Sequence, residues 1–253
     1  MGEAAARPSP RVEALDPRRW RYRFGYMRAA QWMSRYHRVR VEGTVPSGPC
    51  IYVTHHGAGY LNVDLGILVY QLAWRDWFEA GGPLRTLRIA ASKGNPLERA
   101  VPGLAAVKRD AGLIDPSEAS CLHVLEQGDQ LMITPGGRRE SRPESRDYRL
   151  RWDDRYGFAR LAVRMGVPVV PLAIVGGFAA YPGFSMGKLS FWSPLPLPVR
   201  MDIAIGTPIA VARDPEHARD LDVLKPVQQA ARNATQALYD RLLARRGGHA
   251  AAP

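Results

Sequence analysis

Short, uniformly apolar runs alternate with longer mixed stretches along most of this chain. Cys50-Ile51-Tyr52-Val53 has no polar position and predicts a buried strand. Leu65 to Trp74 is mostly apolar over a helical length, and Trp77–Pro83 closes that helix and turns the chain. Leu84–Ala91 reads as another strand. Asp115-Pro116-Ser117-Glu118 predicts a helix start, with a capping Asp115, a proline at the first position and an early carboxylate. That helix runs to about Gln127 and stops at Gly128. Gln130–Thr134 and Val167–Val175 are strands, the latter buried, with a helix over Phe158–Met165 between them that ends at Gly166. Arg38–Glu42 and Arg200–Ile205 are short strands, and Leu221–Arg246 is a helix with arginines in its last turns, where the dipole favours them. Residues 141–156 are charged and loop-like, and Phe191–Pro198 is proline-rich. Strands alternating with helices predict a single α/β domain over residues 39–247.

Two segments precede that domain. Residues 1–16 are rich in Ala, Pro and Arg and are expected to be disordered. Residues 17–38 mix aromatics (Trp20, Tyr22, Phe24, Tyr26, Trp32, Tyr36) with arginines, of which Arg21, Arg28 and Arg35 share one helical line. This predicts a helix lying in a membrane interface, with aromatics at headgroup depth and arginines on phosphates. The same pattern suits a helix packed on the domain with its arginines reaching water.

Composition narrows the partners. The formal net charge is +11 and the sequence pI about 10.1, which favours polyanions. No zinc-finger spacing or ribonucleoprotein signature is present, so an anionic membrane surface is expected and nucleic acid is not. No stretch is a convincing spanning helix, since the longest uncharged one, Met165–Gly187, holds Pro168, Pro171 and Pro182. Cys50 and Cys121 stand in unrelated contexts and match no metal spacing, and a reducing cytoplasm is the simpler setting for them.

The candidate chemistry follows the first buried strand. Thr54-His55-His56-Gly57-Ala58-Gly59 is a strand-end loop, and Asp64 opens the next helix. Strand ends are where α/β proteins place reactive groups, and a histidine oriented by a carboxylate is a minimal general base. Asp64 would serve equally as a first-turn carboxylate, Asn62 as a cap and the two histidines as solvated loop residues. A second strand end, after Thr134, carries Pro135-Gly136-Gly137-Arg138-Arg139-Glu140, a glycine loop able to bring backbone N–H groups close to a polar head group.

Four blocks together resemble the glycerolipid and lysophospholipid acyltransferase family, over roughly residues 40–210. The first is the His56…Asp64 pair, here with seven intervening residues where that family usually has four; His55 stands where Asn is commonest. The second is Gly103-Leu104-Ala105-Ala106-Val107-Lys108-Arg109, similar to Gly-x-Ile-Phe-x-x-Arg. The third is the 135–140 loop, which resembles the Pro-Gly-Gly-x-x-Glu of branches acylating mono- or diacylglycerol more than the Pro-Glu-Gly-Thr-Arg-Ser of phosphate-acceptor members. The fourth is Val167-Pro168-Val169-Val170-Pro171-Leu172, a structural support.

The resemblance implies a central mixed, mostly parallel sheet flanked by helices, of the glycerol-3-phosphate acyltransferase kind. It implies O-acyl transfer from acyl-CoA or acyl carrier protein to a glycerolipid or lysophospholipid hydroxyl, without metal or cofactor, at the cytoplasmic face of the cell membrane. His56 would be the base and Asp64 its orienter. His55, Gly57, Arg109, Pro135, Gly136, Gly137, Arg138, Arg139 and Glu140 would contact substrates. A lipid hydrolase is the rival enzyme; it would need a nucleophile on a Gly-x-Ser-x-Gly elbow, and the chain is expected to lack one. A non-catalytic lipid-binding protein is the other rival.

Overall fold

The apolar run Ile51–Val53 forms strand β2, the middle of a seven-stranded sheet in the computed structural model, which describes residues 20–58, 63–80, 86–90, 112–187 and 189–250. The other strands of this sheet are β1 (Arg40–Glu42), β3 (Leu87–Ala90), β4 (Leu113–Ile114), β5 (Gln130–Ile133), β6 (Val169–Val175) and β9 (Asp202–Ile205). Their spatial order is β1-β9-β6-β2-β5-β3-β4. Strand β2 pairs in parallel with β5 on one side (Ile51 opposite Leu131) and β6 on the other (Ile51 opposite Val169). Only β9 runs against its neighbour β6, so the sheet is mixed and mostly parallel, as expected. Every residue of β2 and β6 is buried, which is why these strands lack alternation in sequence.

Helices α4 (Glu118–Glu126), α5 (Gly157–Met165) and α7 (Leu221–Ala250) pack over β5, β2 and β6 respectively. The other α-helices among the described residues are α1 (Trp20–Tyr36), α2 (Val63–Val69), α3 (Arg75–Ala80) and the short α6 (Gly177–Ala180). Between α2 and α3 the helix widens into a π turn over Tyr70–Trp74. Helix α4 starts later than its sequence suggests. Ser117 is the cap and accepts a hydrogen bond from the Ser120 N–H, while Asp115 accepts one from the Ser117 N–H. Asp115 spends its carboxylate on the Ser117 N–H in a turn ahead of the helix, and the Ser117 hydroxyl takes over the capping bond.

Helix α1 buries Met27, Ala30, Gln31 and Ser34 against the domain and leaves Arg28, Trp32 and Arg35 outward. Its end is tied down by His37, whose Nδ1 lies 2.9 Å from the Val199 carbonyl. An antiparallel hairpin of β7 (Gly183–Met186) and β8 (Leu189–Trp192) stands apart from the main sheet. Neither α6 nor this hairpin is foreseen by the apolar pattern, which leaves that region as loop. Asn62, Gly59, the 103–109 block with Arg109, and the ends of the expected 84–91 strand lie outside the described residues.

Candidate active site

Three adjacent parallel strands, β6, β2 and β5, release their chains at the same edge of the sheet. The middle one delivers His55 and His56. Its neighbour β5 delivers Pro135–Glu140, and β6 delivers Gly176 and Gly177. The carboxyl edge of parallel strands is where this architecture places ligands. Two of these loops are the ones singled out from sequence; the Gly176-Gly177 turn is not.

Successive residues leaving a strand point to opposite sides, and the two histidines differ accordingly. His55 is 1% exposed, within a cage of Tyr148, Phe178 and Tyr239 at ring distances of 5.5, 5.8 and 5.9 Å. Its Nδ1 lies 2.6 Å from the His56 carbonyl, and its Nε2 has no partner among the described residues. Burial pushes its pKa down to about 4, so it is neutral. His55 therefore supports the loop from below. His56 is partly exposed. Its Nδ1 is 3.3 Å from the Gly57 carbonyl, and burial lowers its pKa from the ordinary value. A neutral ring that donates from Nδ1 leaves Nε2 as a lone-pair base.

Asp64 does not meet the imidazole. Its carboxylate is 4% exposed and accepts hydrogen bonds from the backbone N–H groups of Ala58 and Leu65, both at 2.9 Å. It thus clasps the histidine loop to the start of α2. Burial pushes its pKa up to about 6, against the pull of those two N–H groups. The clasp requires glycine in the loop: a Cβ on Gly57 would fall 2.0 Å from Asp64 Oδ1, and one on Gly177 2.9 Å from Oδ2.

Glu140 repeats this arrangement on the second loop. It is fully buried, and its carboxylate accepts from the His56 N–H at 3.2 Å and the Arg151 N–H at 2.7 Å. Burial pushes its pKa up to about 7. A Cβ on Gly136 would fall 2.0 Å from its Cδ. Glu140, expected among the substrate contacts, faces the interior, where its two oxygens meet two backbone donors. Gly137 adopts a left-handed conformation (φ 51°), and its N–H is taken by the Thr134 carbonyl. Arg138 and Arg139 are exposed, and Arg139 pairs with Asp154 at 3.1 Å. Pro135 is partly exposed at the end of β5.

One sequence expectation needs correcting. Gly183-Phe184-Ser185-Met186-Gly187 does match the Gly-x-Ser-x-Gly spacing. The match lies in hairpin strand β7 and its turn, not in a strand-to-helix elbow, and Ser185 Oγ faces Ser190 Oγ at 3.2 Å. It has the spacing of a nucleophile elbow without its geometry. Among the described residues no three His, Cys, Asp or Glu side chains stand close enough to hold a metal ion. Among them, too, no helix is long and apolar enough to cross a membrane. Cys50 and Cys121 are both buried.

The fold matches that of one solved acyltransferase. The chain aligns with the crystal structure of the 1-acyl-sn-glycerophosphate (LPA) acyltransferase PlsC from Thermotoga maritima with a TM-score of 0.53 and 19% identity, covering 86% of this chain and 78% of that one. Among curated proteins it is similar to the mouse protein named "DGAT1/2-independent enzyme synthesizing storage lipids", 26% identical over 226 residues, 84% of this chain and 62% of the mouse protein. The human protein of that name is 25% identical over 205 residues, 77% of this chain and 57% of its own length. The chain thus spans less than two thirds of the length of these relatives. No family model matches the sequence.

Proposed function

We propose that the protein is an O-acyltransferase that moves a fatty acyl group from a thioester of coenzyme A or acyl carrier protein to a hydroxyl of a glycerolipid. The observation that carries this reading is His56: a partly exposed, neutral imidazole at the carboxyl end of the central strand of a PlsC-like fold. The names of the similar storage-lipid enzymes agree with it.

In the step proposed, His56 Nε2 takes the proton of the acceptor hydroxyl as its oxygen attacks the thioester carbonyl. The tetrahedral intermediate then collapses, the C–S bond breaks, and the imidazolium returns the proton to the departing thiolate. No enzyme nucleophile is needed. The Gly57 carbonyl at Nδ1 takes the orienting role usually given to a carboxylate, while Asp64 and Glu140 fix the backbone on either side of His56. The N–H of Ala58 is taken by Asp64, whereas that of Gly57 has no protein acceptor among the described residues; we assign it to the developing oxyanion. We place the reaction at the cytoplasmic face of an anionic membrane, with the protein attached peripherally, a reading supported by the net charge of +11.

The test is incubation of purified protein with acyl-CoA or acyl carrier protein thioesters and a panel of lysophosphatidic acid, mono- and diacylglycerol, followed by lipid mass spectrometry. Esterified product that disappears in His56→Ala supports the proposal. Free fatty acid formed without acceptor would assign a hydrolase. Absence of any acyl product would leave a lipid-binding protein.

A further inference from the structure

The apolar side chains left at the surface are not scattered. Of seven large hydrophobic residues exposed among the described residues, five lie on hairpin β7–β8 and the loop after it: Phe184, Met186, Phe191, Leu195 and Leu197. A sixth is Trp32 on α1. Phe184 and Met186 are each 64% exposed and Leu195 75%, values suited to a partner rather than to water. Phe184 and Phe191 stack across the hairpin at 5.2 Å. Trp32 stacks on Tyr36 at 5.3 Å, and the Tyr36 hydroxyl donates to the Pro196 carbonyl at 2.9 Å, between Leu195 and Leu197. The two elements therefore make one continuous apolar face.

Charge identifies the occupant. No acidic residue occurs from Arg155 to Met201, nor from Pro17 to Val41, so both elements bear positive charge only. Arg35 on α1 is exposed, Arg38 just beyond α1 reaches the Pro198 carbonyl at 3.5 Å, and Arg142 reaches the hairpin turn through the Gly187 carbonyl at 2.7 Å. Exposed aromatics and aliphatics with arginines at their margin, no carboxylate on either element, and the neighbouring Glu144 tied to Arg142 at 3.3 Å match an anionic lipid surface. The face also leads inward: Trp192 of β8 contacts Phe178 at 5.7 Å, and Phe178 contacts His55 at 5.8 Å.

We infer that hairpin β7–β8 and the Leu195–Leu197 loop insert into the bilayer and, with α1, seat the catalytic opening on anionic lipid. The inference rests on the proposed lipid chemistry for its purpose, and its test is independent of it. Cys50 and Cys121 are buried, so a Met186→Cys protein takes an environment-sensitive fluorophore at the hairpin alone. With phosphatidylcholine–phosphatidylglycerol vesicles the label should shift to the blue and be quenched by brominated acyl chains, while a label at Asp222→Cys on α7 should not respond. Phe184→Ser with Met186→Ser should weaken vesicle partitioning at least about tenfold. The same double variant should retain acyl transfer to a detergent-dispersed acceptor and lose it on bilayer acceptor. Flotation with an unchanged Met186 label would overturn the inference and leave α1 as the anchor. A shift that follows protein concentration without vesicles would assign the face to a second copy of the chain. Absence of flotation would overturn it as well, with dispersed-acceptor activity reporting separately on the acyltransferase reading.

Discussion

The carboxylate of Glu140 accepts a hydrogen bond from the backbone N–H of His56 at 3.2 Å, across the gap between two strand-end loops. Its other oxygen holds the Arg151 N–H at 2.7 Å. Glu140 is thus a positioning residue for the base. In Glu140→Ala, two part-buried N–H groups lose their acceptor, at a combined cost of about 1–3 kcal/mol. Turnover per folded molecule should fall by up to about 10²-fold, the scale expected when a reacting group is misplaced by an ångström, with a smaller change in KM. Steady-state kinetics alongside thermal melts checks this; full turnover in a destabilised variant would make Glu140 purely structural.

Glu140→Gln gives a pH signature. The carboxyl is raised from 4.5 to about 7 in the folded protein, so folding takes up a proton between those values. Its stabilising contribution is complete below 4.5 and is lost as pH rises through 7. Glutamine has no such dependence. The stability of Glu140→Gln relative to the parent should therefore improve as pH rises across this window, by up to about 3 kcal/mol. Denaturant melts at several pH values measure the slope.

His55 has the opposite sign. Its pKa is depressed from 6.5 to about 4, so its contribution is present above 6.5 and lost as pH falls through 4. His55→Asn should lose less stability than the parent over that acid range. Parallel melts of the two proteins decide the matter.

His56→Ala should lower acyl transfer by roughly 10²–10⁴-fold, the usual worth of a positioned acid–base group. Because His56 is partly exposed, its melting temperature should change little. A near-parental rate in the purified variant would remove His56 from the mechanism.

Asp64→Asn tests the clasp. Asparagine offers one acceptor oxygen where Ala58 and Leu65 both require one. Stability should drop by about 1–3 kcal/mol together with activity. Gly57→Ala should cause a similar loss, since its Cβ would overlap Asp64, whereas Gly48→Ala meets nothing within 4 Å and should be neutral. Thermal shift across the three variants ranks them.

Much of this was legible in the chain. The uniformly apolar runs at 51–53 and 169–175 mark the buried parallel strands, and the residues after 53 and 133 mark the loops that meet. Three things were not legible. A carboxylate near a histidine in sequence reads as its orienter, but whether it faces the ring or the backbone depends on loop path, and Asp64 faces the backbone. Glu140 reads, through the resemblance, as a substrate contact in an Arg-rich loop, because nothing local signals two backbone donors waiting for it. The hairpin escapes notice because its apolar residues remain outside, so they carry no core pattern.

The clasp of Asp64 on the Ala58 N–H changes what spacing means in this motif. If the carboxylate had to meet the ring itself, chain length between the two would be tightly constrained. A carboxylate that instead grips one amide beside the histidine fixes only the two ends of the intervening segment. Lengthening a closed loop adds entropy slowly, about 0.6 kcal/mol for each doubling. Insertions between Ala58 and Asp64 are therefore cheap, and the His-to-Asp interval is free to drift without disturbing the base.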